Sequence, residues 1–122
     1  MMKKIHLLVI TLWMSLAFSA QNIDAFFDQA NNFFIQNVKD GKVDYAGIKE
    51  NETLTKLINN ISSFEFSDLE ENQQKAYLIN TYNLLVINKI RENWPVTSPM
   101  DIPGFFDGVK HDIAGKKWTL NH

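Results

Sequence analysis

The stretch AYLINTYNLLVINKI, Ala76 to Ile90, carries apolar residues on nearly every side of any helix it could form. Helical geometry turns about 100° per residue, so with Asn80 at zero, Val86, Ile79, Ile90, Ala76 and Ile87 fall between about 240° and 340°. Asn83 falls at about 300°, in the centre of that arc, and Asn80 lies at its edge beside Leu84 and Tyr77. Leu78 and Leu85 occupy the other side, with Thr81, Asn88 and Lys89 between. A helix apolar all round is buried or almost so. A buried amide costs about 1–3 kcal/mol when its hydrogen bonds go unmade, so the pattern predicts partners for Asn83. Asn80, Tyr82 and Asn83 are then a structural clamp onto backbone near Val43–Tyr45 or the Pro95–Phe106 loop, or the polar floor of a binding pocket.

The elements around this helix read off by period and punctuation. Ile23, Phe26, Phe27, Ala30, Phe33 and Phe34 recur at spacings of three and four, which predicts an amphipathic helix over Asn22 to Val38. Lys39-Asp-Gly-Lys42 ends it with turn chemistry, and Val43 to Tyr45 reads as extended. Leu54, Leu57, Ile58 and Ile61 mark a second helix. Ser67 and Glu70 form a capping-box pattern, which starts the long helix at about Asp68. Pro95 restricts Trp94 and ends it at about Asn93. Two short extended runs flank Gly115, which predicts a hairpin. The fold expected is α+β, mainly α: two shorter helices and one long buried helix, then a small antiparallel β-hairpin.

The N-terminus has a different character. Met-Met-Lys-Lys is a short basic start, Leu7 to Phe18 is apolar, and Ala17-Phe-Ser-Ala20 supplies small residues. That order predicts a bacterial signal peptide at residues 1–20, with cleavage after Ser19 or Ala20, and a mature domain at 21–122. The expected location is periplasmic or secreted, with membrane contact only through the signal peptide before cleavage. Without Lys3 and Lys4 the chain keeps ten basic against fourteen acidic side chains, a balance that argues against nucleic acid as a partner. There are no cysteines, so disulfides, thiolate metal sites and thiol nucleophiles are excluded within these residues.

The long helix also carries a resemblance. Ala76, Tyr77, Ile79, Asn80, Tyr82, Asn83, Leu84 and Leu85 match the signature of the DUF547 family of domains of unknown function. Trp94-Pro95-Val96, Ile102-Pro103-Gly104-Phe105-Phe106, Ala114-Gly115 and Thr119-Leu120-Asn121 are similar to the family's later steps, in the same order. Val43-Asp44-Tyr45 resembles its opening segment. The family pattern runs on past His122, into a helix with Glu and His and then a Ser-Cys-Pro segment. The resemblance therefore implies the N-terminal portion of an incomplete domain, whose further half is expected to cover the long helix. Some of Tyr77, Leu78, Leu85 and Phe105 should then be exposed in this chain.

The remaining residues point to little chemistry. His111 and Asp112 are adjacent, so in a strand they face opposite sides and make no simple metal site. No Gly-rich phosphate loop or catalytic Ser, His or zinc motif is present. Phe105 and Phe106 beside Gly104 are candidate pocket walls, although a plain core role is the commoner one for such residues. No metal and no cofactor are expected. The function expected is that of an exported domain of unestablished activity. It is either part of a hydrolase-like enzyme whose Cys and His lie downstream, or an envelope ligand- or protein-binding module.

Overall fold

The computed structural model describes residues 22–121. The expected signal peptide, residues 1–20, lies outside the described residues. Helix α1 covers Ile23–Asn37, and the Asn22 side chain caps it by accepting from the Asp24 and Ala25 amides at 3.0 and 3.2 Å. Its aromatic stripe faces inward as the spacing predicts: Phe26, Ala30 and Phe33 are buried, and Ile23, Phe27 and Phe34 partly so. A minimal hairpin follows, β1 (Val38–Lys39) against β2 (Lys42–Val43). Asp40 and Gly41 turn it with φ of 53° and 73°, a backbone that glycine adopts without steric cost and that Asp tolerates.

Helix α2 covers Glu52–Ser63, and the Asn51 side chain caps it by accepting from the Leu54 amide at 2.9 Å. Helix α3 covers Glu71–Glu92. It starts later than the Ser67–Glu70 pattern predicts. Glu70 is the cap, and the Gln73 side chain reaches back to accept from its backbone N–H at 3.1 Å. A 3₁₀ turn at Pro99–Asp101 and a second hairpin complete the described chain, with β3 (His111–Ile113) antiparallel to β4 (Lys116–Trp118). Its turn residues, Ala114 and Gly115, also have positive φ, 51° and 78°. Three helices and two small antiparallel strand pairs make the fold α+β and mainly helical.

Helices α2 and α3 run antiparallel and are tied at both ends. At one end the Tyr77 hydroxyl donates to the Ile61 carbonyl at 3.2 Å. At the other, Arg91 donates to the Asn51 carbonyl at 2.9 Å and to the Thr55 hydroxyl at 3.2 Å. The turn of the second hairpin closes the junction: Ala114 and Gly115 donate their amides to the carbonyls of Ile61 and Ser62, both at 2.9 Å. The last carbonyls of a helix have no partner within it, so the hairpin turn and one tyrosine act as the C-terminal cap of α2.

The core is one layer of side chains between the helices, with Phe33, Ile48, Leu54, Leu57, Ile61, Tyr77 and Leu84 fully buried. Tyr77 sits in an aromatic cage of Phe26, Phe64 and Phe66, with ring centroids 5.1 to 5.8 Å away. A second, smaller cluster gathers Ile90, Ile102 and Phe105 with Tyr45, Val86, Trp94, Val96, Phe106 and Leu120. Tyr45 stacks on Trp94 at 5.2 Å, which binds the segment after β2 to the end of α3.

The long helix is not buried all round. Its buried residues are Tyr77, Thr81, Leu84, Leu85, Ile87, Asn88 and Ile90. On the same wheel, Thr81 and Asn88 fall at about 100° and 80°, roughly 160° and 140° from Asn83. The expected phase was therefore wrong, and Asn83 is exposed. The reason lies in the two clusters. Val86 and Ile90, on the arc around Asn83, are covered by the Ile102–Phe105 segment only along the C-terminal half of the helix. One to two turns earlier on that arc nothing covers Ile79, which is 64 % exposed.

Candidate functional site

The exposed flank of α3 opens into a cavity of about 700 Å³. One wall is the stripe Leu78, Thr81, Tyr82 and Leu85, spaced three and four residues apart so that they share a helix face. The segment before the helix supplies Glu65, Phe66 and Ser67. The second hairpin and the residues after it supply Ile113, Ala114, Lys116, Trp118, Thr119 and Leu120. The lining is mostly apolar, with a few polar groups around it, the composition usual for small-molecule sites. The capped junction at Ile61 and Ser62 pins the hairpin wall to the end of α2.

Of the residues singled out in the sequence, Tyr82 is on this cavity and 42 % exposed. Asn80 and Asn83 are not in its lining. The Asn80 amide donates to the Ala76 carbonyl of its own helix at 2.9 Å, so it makes a local bond rather than a clamp onto a loop. Phe105 is buried and Phe106 partly so in the second cluster, rings edge to face at 4.8 Å, and neither lines the cavity. Of the four residues expected to include exposed ones, Leu78 is exposed, while Tyr77, Leu85 and Phe105 are buried.

The residue that clamps is Tyr77. Burial pushes its phenol above the usual tyrosine pKa, and the neighbouring Thr81 hydroxyl opposes that rise, although the geometry between the two falls short of a hydrogen bond. The buried amide of the helix is Asn88. It donates to Glu92 at 3.2 Å and accepts from Arg91, whose guanidinium pKa burial lowers against the pull of Glu92 and Glu50. His111 sits partly buried at the start of β3, its Nε2 without a hydrogen-bond partner among the described residues. Burial and Lys89 hold its pKa below the ordinary histidine value, and Glu92 and Asp112 offset part of that shift. No group of three or more His, Asp or Glu that could hold a metal ion occurs among the described residues.

The cavity wall missed in the sequence was encoded there. Leu78, Thr81, Tyr82 and Leu85 obey helical spacing, but so do the apolar residues opposite, and only the packing partners decide which stripe faces the core. Trp118 and Leu120 carry no local signal of a site.

Long helix, aromatic clamp and C-terminal hairpin together define a small α+β unit with an apolar groove on one flank of its main helix. The model of the family described as protein of unknown function, DUF547, matches residues 66–122, a little under half of the chain, and that segment is similar to this family. The match takes in the helix signature, the 3₁₀ region and the hairpin. It begins at Phe66, so the likeness drawn at Val43-Asp44-Tyr45 lies outside it. No curated protein and no solved structure matches the chain.

Proposed function

We propose that this chain is an exported binding domain that takes an apolar ligand into the groove between α3 and the second hairpin. The observation that carries the reading is the continuity of apolar surface there. Leu78 and Tyr82 are 47 % and 42 % exposed on the rim, and they lead directly into the lining formed by Phe66, Leu85, Ile113, Trp118 and Leu120. Large side chains left in water on a rigid helix, beside a concavity that could receive their counterpart, mark an interaction site more often than chance exposure. Tyr82 adds a hydroxyl that can orient a bound group, and Asn83 and Ile79 extend the accessible face beyond it.

The test is binding of a polarity-sensitive dye by the full chain. Wild-type protein should raise the dye's emission saturably, and Leu78→Asp should abolish the rise while the thermal transition is kept. Equal dye response in the two proteins would reject the groove as the site. Export rests on the basic and apolar N-terminal sequence. Mass spectrometry of the protein recovered from the cell envelope should find an N-terminus at Ala20 or Gln21. Recovery of only the intact Met1 form would reject export with cleavage.

A further inference from the structure

We infer that the ligand is an amphiphile, an apolar chain with a single anionic head, whose head is received by Lys116. The inference rests on the binding reading above and goes beyond it in naming the chemistry. Two charged side chains line the groove, Glu65 and Lys116. They are not equivalent. Glu65 already holds an interaction of its own. Lys116 is exposed at the start of β4, and the ion pairs formed among the described residues do not include it. The neighbouring lysine does pair: Lys117 meets Asp112 across the hairpin at 2.9 Å.

The strand pattern explains the difference. Successive residues of a strand point to opposite faces, so Lys117 and Asp112, paired in register, share one face. Lys116 pairs with Ile113 on the other, and both line the groove. The hairpin thus satisfies its outward cation and leaves its groove-side cation free for a ligand. The lining also carries the hydroxyls of Thr119 and Ser67, which can donate to an anionic oxygen, and the apolar side chains of Leu85, Trp118 and Leu120, these last three more buried than Lys116. A volume of about 700 Å³ holds a medium-length acyl chain with room to spare. An anion at the exposed lysine and a hydrocarbon against the more buried apolar side chains match this lining. A neutral hydrocarbon would leave Lys116 without a role, and a cationic head would meet it with repulsion.

Calorimetric titration of the full chain with dodecanoate and with dodecanol, both below their aggregation limits, separates the parts. Dodecanoate should bind about fivefold more tightly than dodecanol, the size expected for an exposed charge pair. Lys116→Met should remove that preference, bringing the ratio of the two affinities to about one. Leu78→Asp should abolish both. Equal affinity for acid and alcohol in the wild type would overturn the anionic head and leave the apolar groove standing. Preference retained in Lys116→Met would overturn the role of Lys116. Binding of neither compound would overturn the groove reading itself.

Discussion

Replacing Tyr77 by phenylalanine separates the two things this residue does. The ring is fully buried against Phe26, Phe64 and Phe66, and the substitution keeps all of that packing. What is lost is one hydrogen bond, to the Ile61 carbonyl at 3.2 Å. That carbonyl is not orphaned by the change, because the Ala114 amide still donates to it at 2.9 Å. The full penalty for an unsatisfied buried acceptor therefore does not apply, and the cost should be that of a net hydrogen bond, about 0.5–1 kcal/mol. Tyr77→Ala removes the ring as well and should cost about 3–5 kcal/mol, the range for emptying a buried aromatic site. Urea denaturation followed by circular dichroism measures both. Tyr77→Phe should shift the midpoint slightly with an unchanged slope, and Tyr77→Ala should shift it severalfold further. A Tyr77→Phe loss above about 2 kcal/mol, or one equal to that of Tyr77→Ala, would refute the argument that the carbonyl has a second donor.

Other substitutions test the rest of the structure. Asn83→Leu, at an exposed position, should change stability by less than about 0.5 kcal/mol, while Asn88→Leu should cost about 1–3 kcal/mol by removing its hydrogen bonds to the charged Arg91 and Glu92; urea midpoints compare the two. Ala114→Asn should stabilise by roughly 1 kcal/mol, since asparagine tolerates the left-handed backbone there and the amide bond to Ile61 is kept; a lowered melting temperature would count against the turn geometry. The pH dependence follows from His111. Its folded pKa lies below the unfolded value, so the unfolded chain takes up the proton first. Its contribution is present above about pH 6.5 and is lost as pH falls through the folded pKa. The urea midpoint should therefore drop on acidification through this window, and His111→Gln should flatten that part of the profile.

The helices, the Asp-Gly turn and the second hairpin are legible in the sequence because each has a local cause: a period, a cap or a turn residue. The long helix was legible in extent but not in orientation. With apolar residues at Leu78, Ile79, Leu84, Leu85, Val86 and Ile87, its periodicity carries almost no phase, and burial is assigned by distant residues such as Phe26 and Ile102. That is why Asn83 was placed inside and stands outside, and why Tyr77, read as part of an apolar face, makes the long-range bond sought from the asparagines. Of the three residues named together on that helix, Asn80, Tyr82 and Asn83, it is Tyr82 that lines the cavity. The hairpin wall was invisible as a site, since it depends on where the Ala114–Gly115 turn docks.

That docking has a consequence for how the molecule opens. The tip of a hairpin normally exchanges its amide hydrogens with solvent quickly, through small local excursions. Here the amides of Ala114 and Gly115 end on the carbonyls of α2, so they are released only when the hairpin leaves the helix or the helix end unravels. The same event takes one donor from the Ile61 carbonyl and removes a wall of the groove. Slow exchange at these two surface positions would therefore report on the groove, and a ligand seated against Ile113 and Trp118 should slow it further.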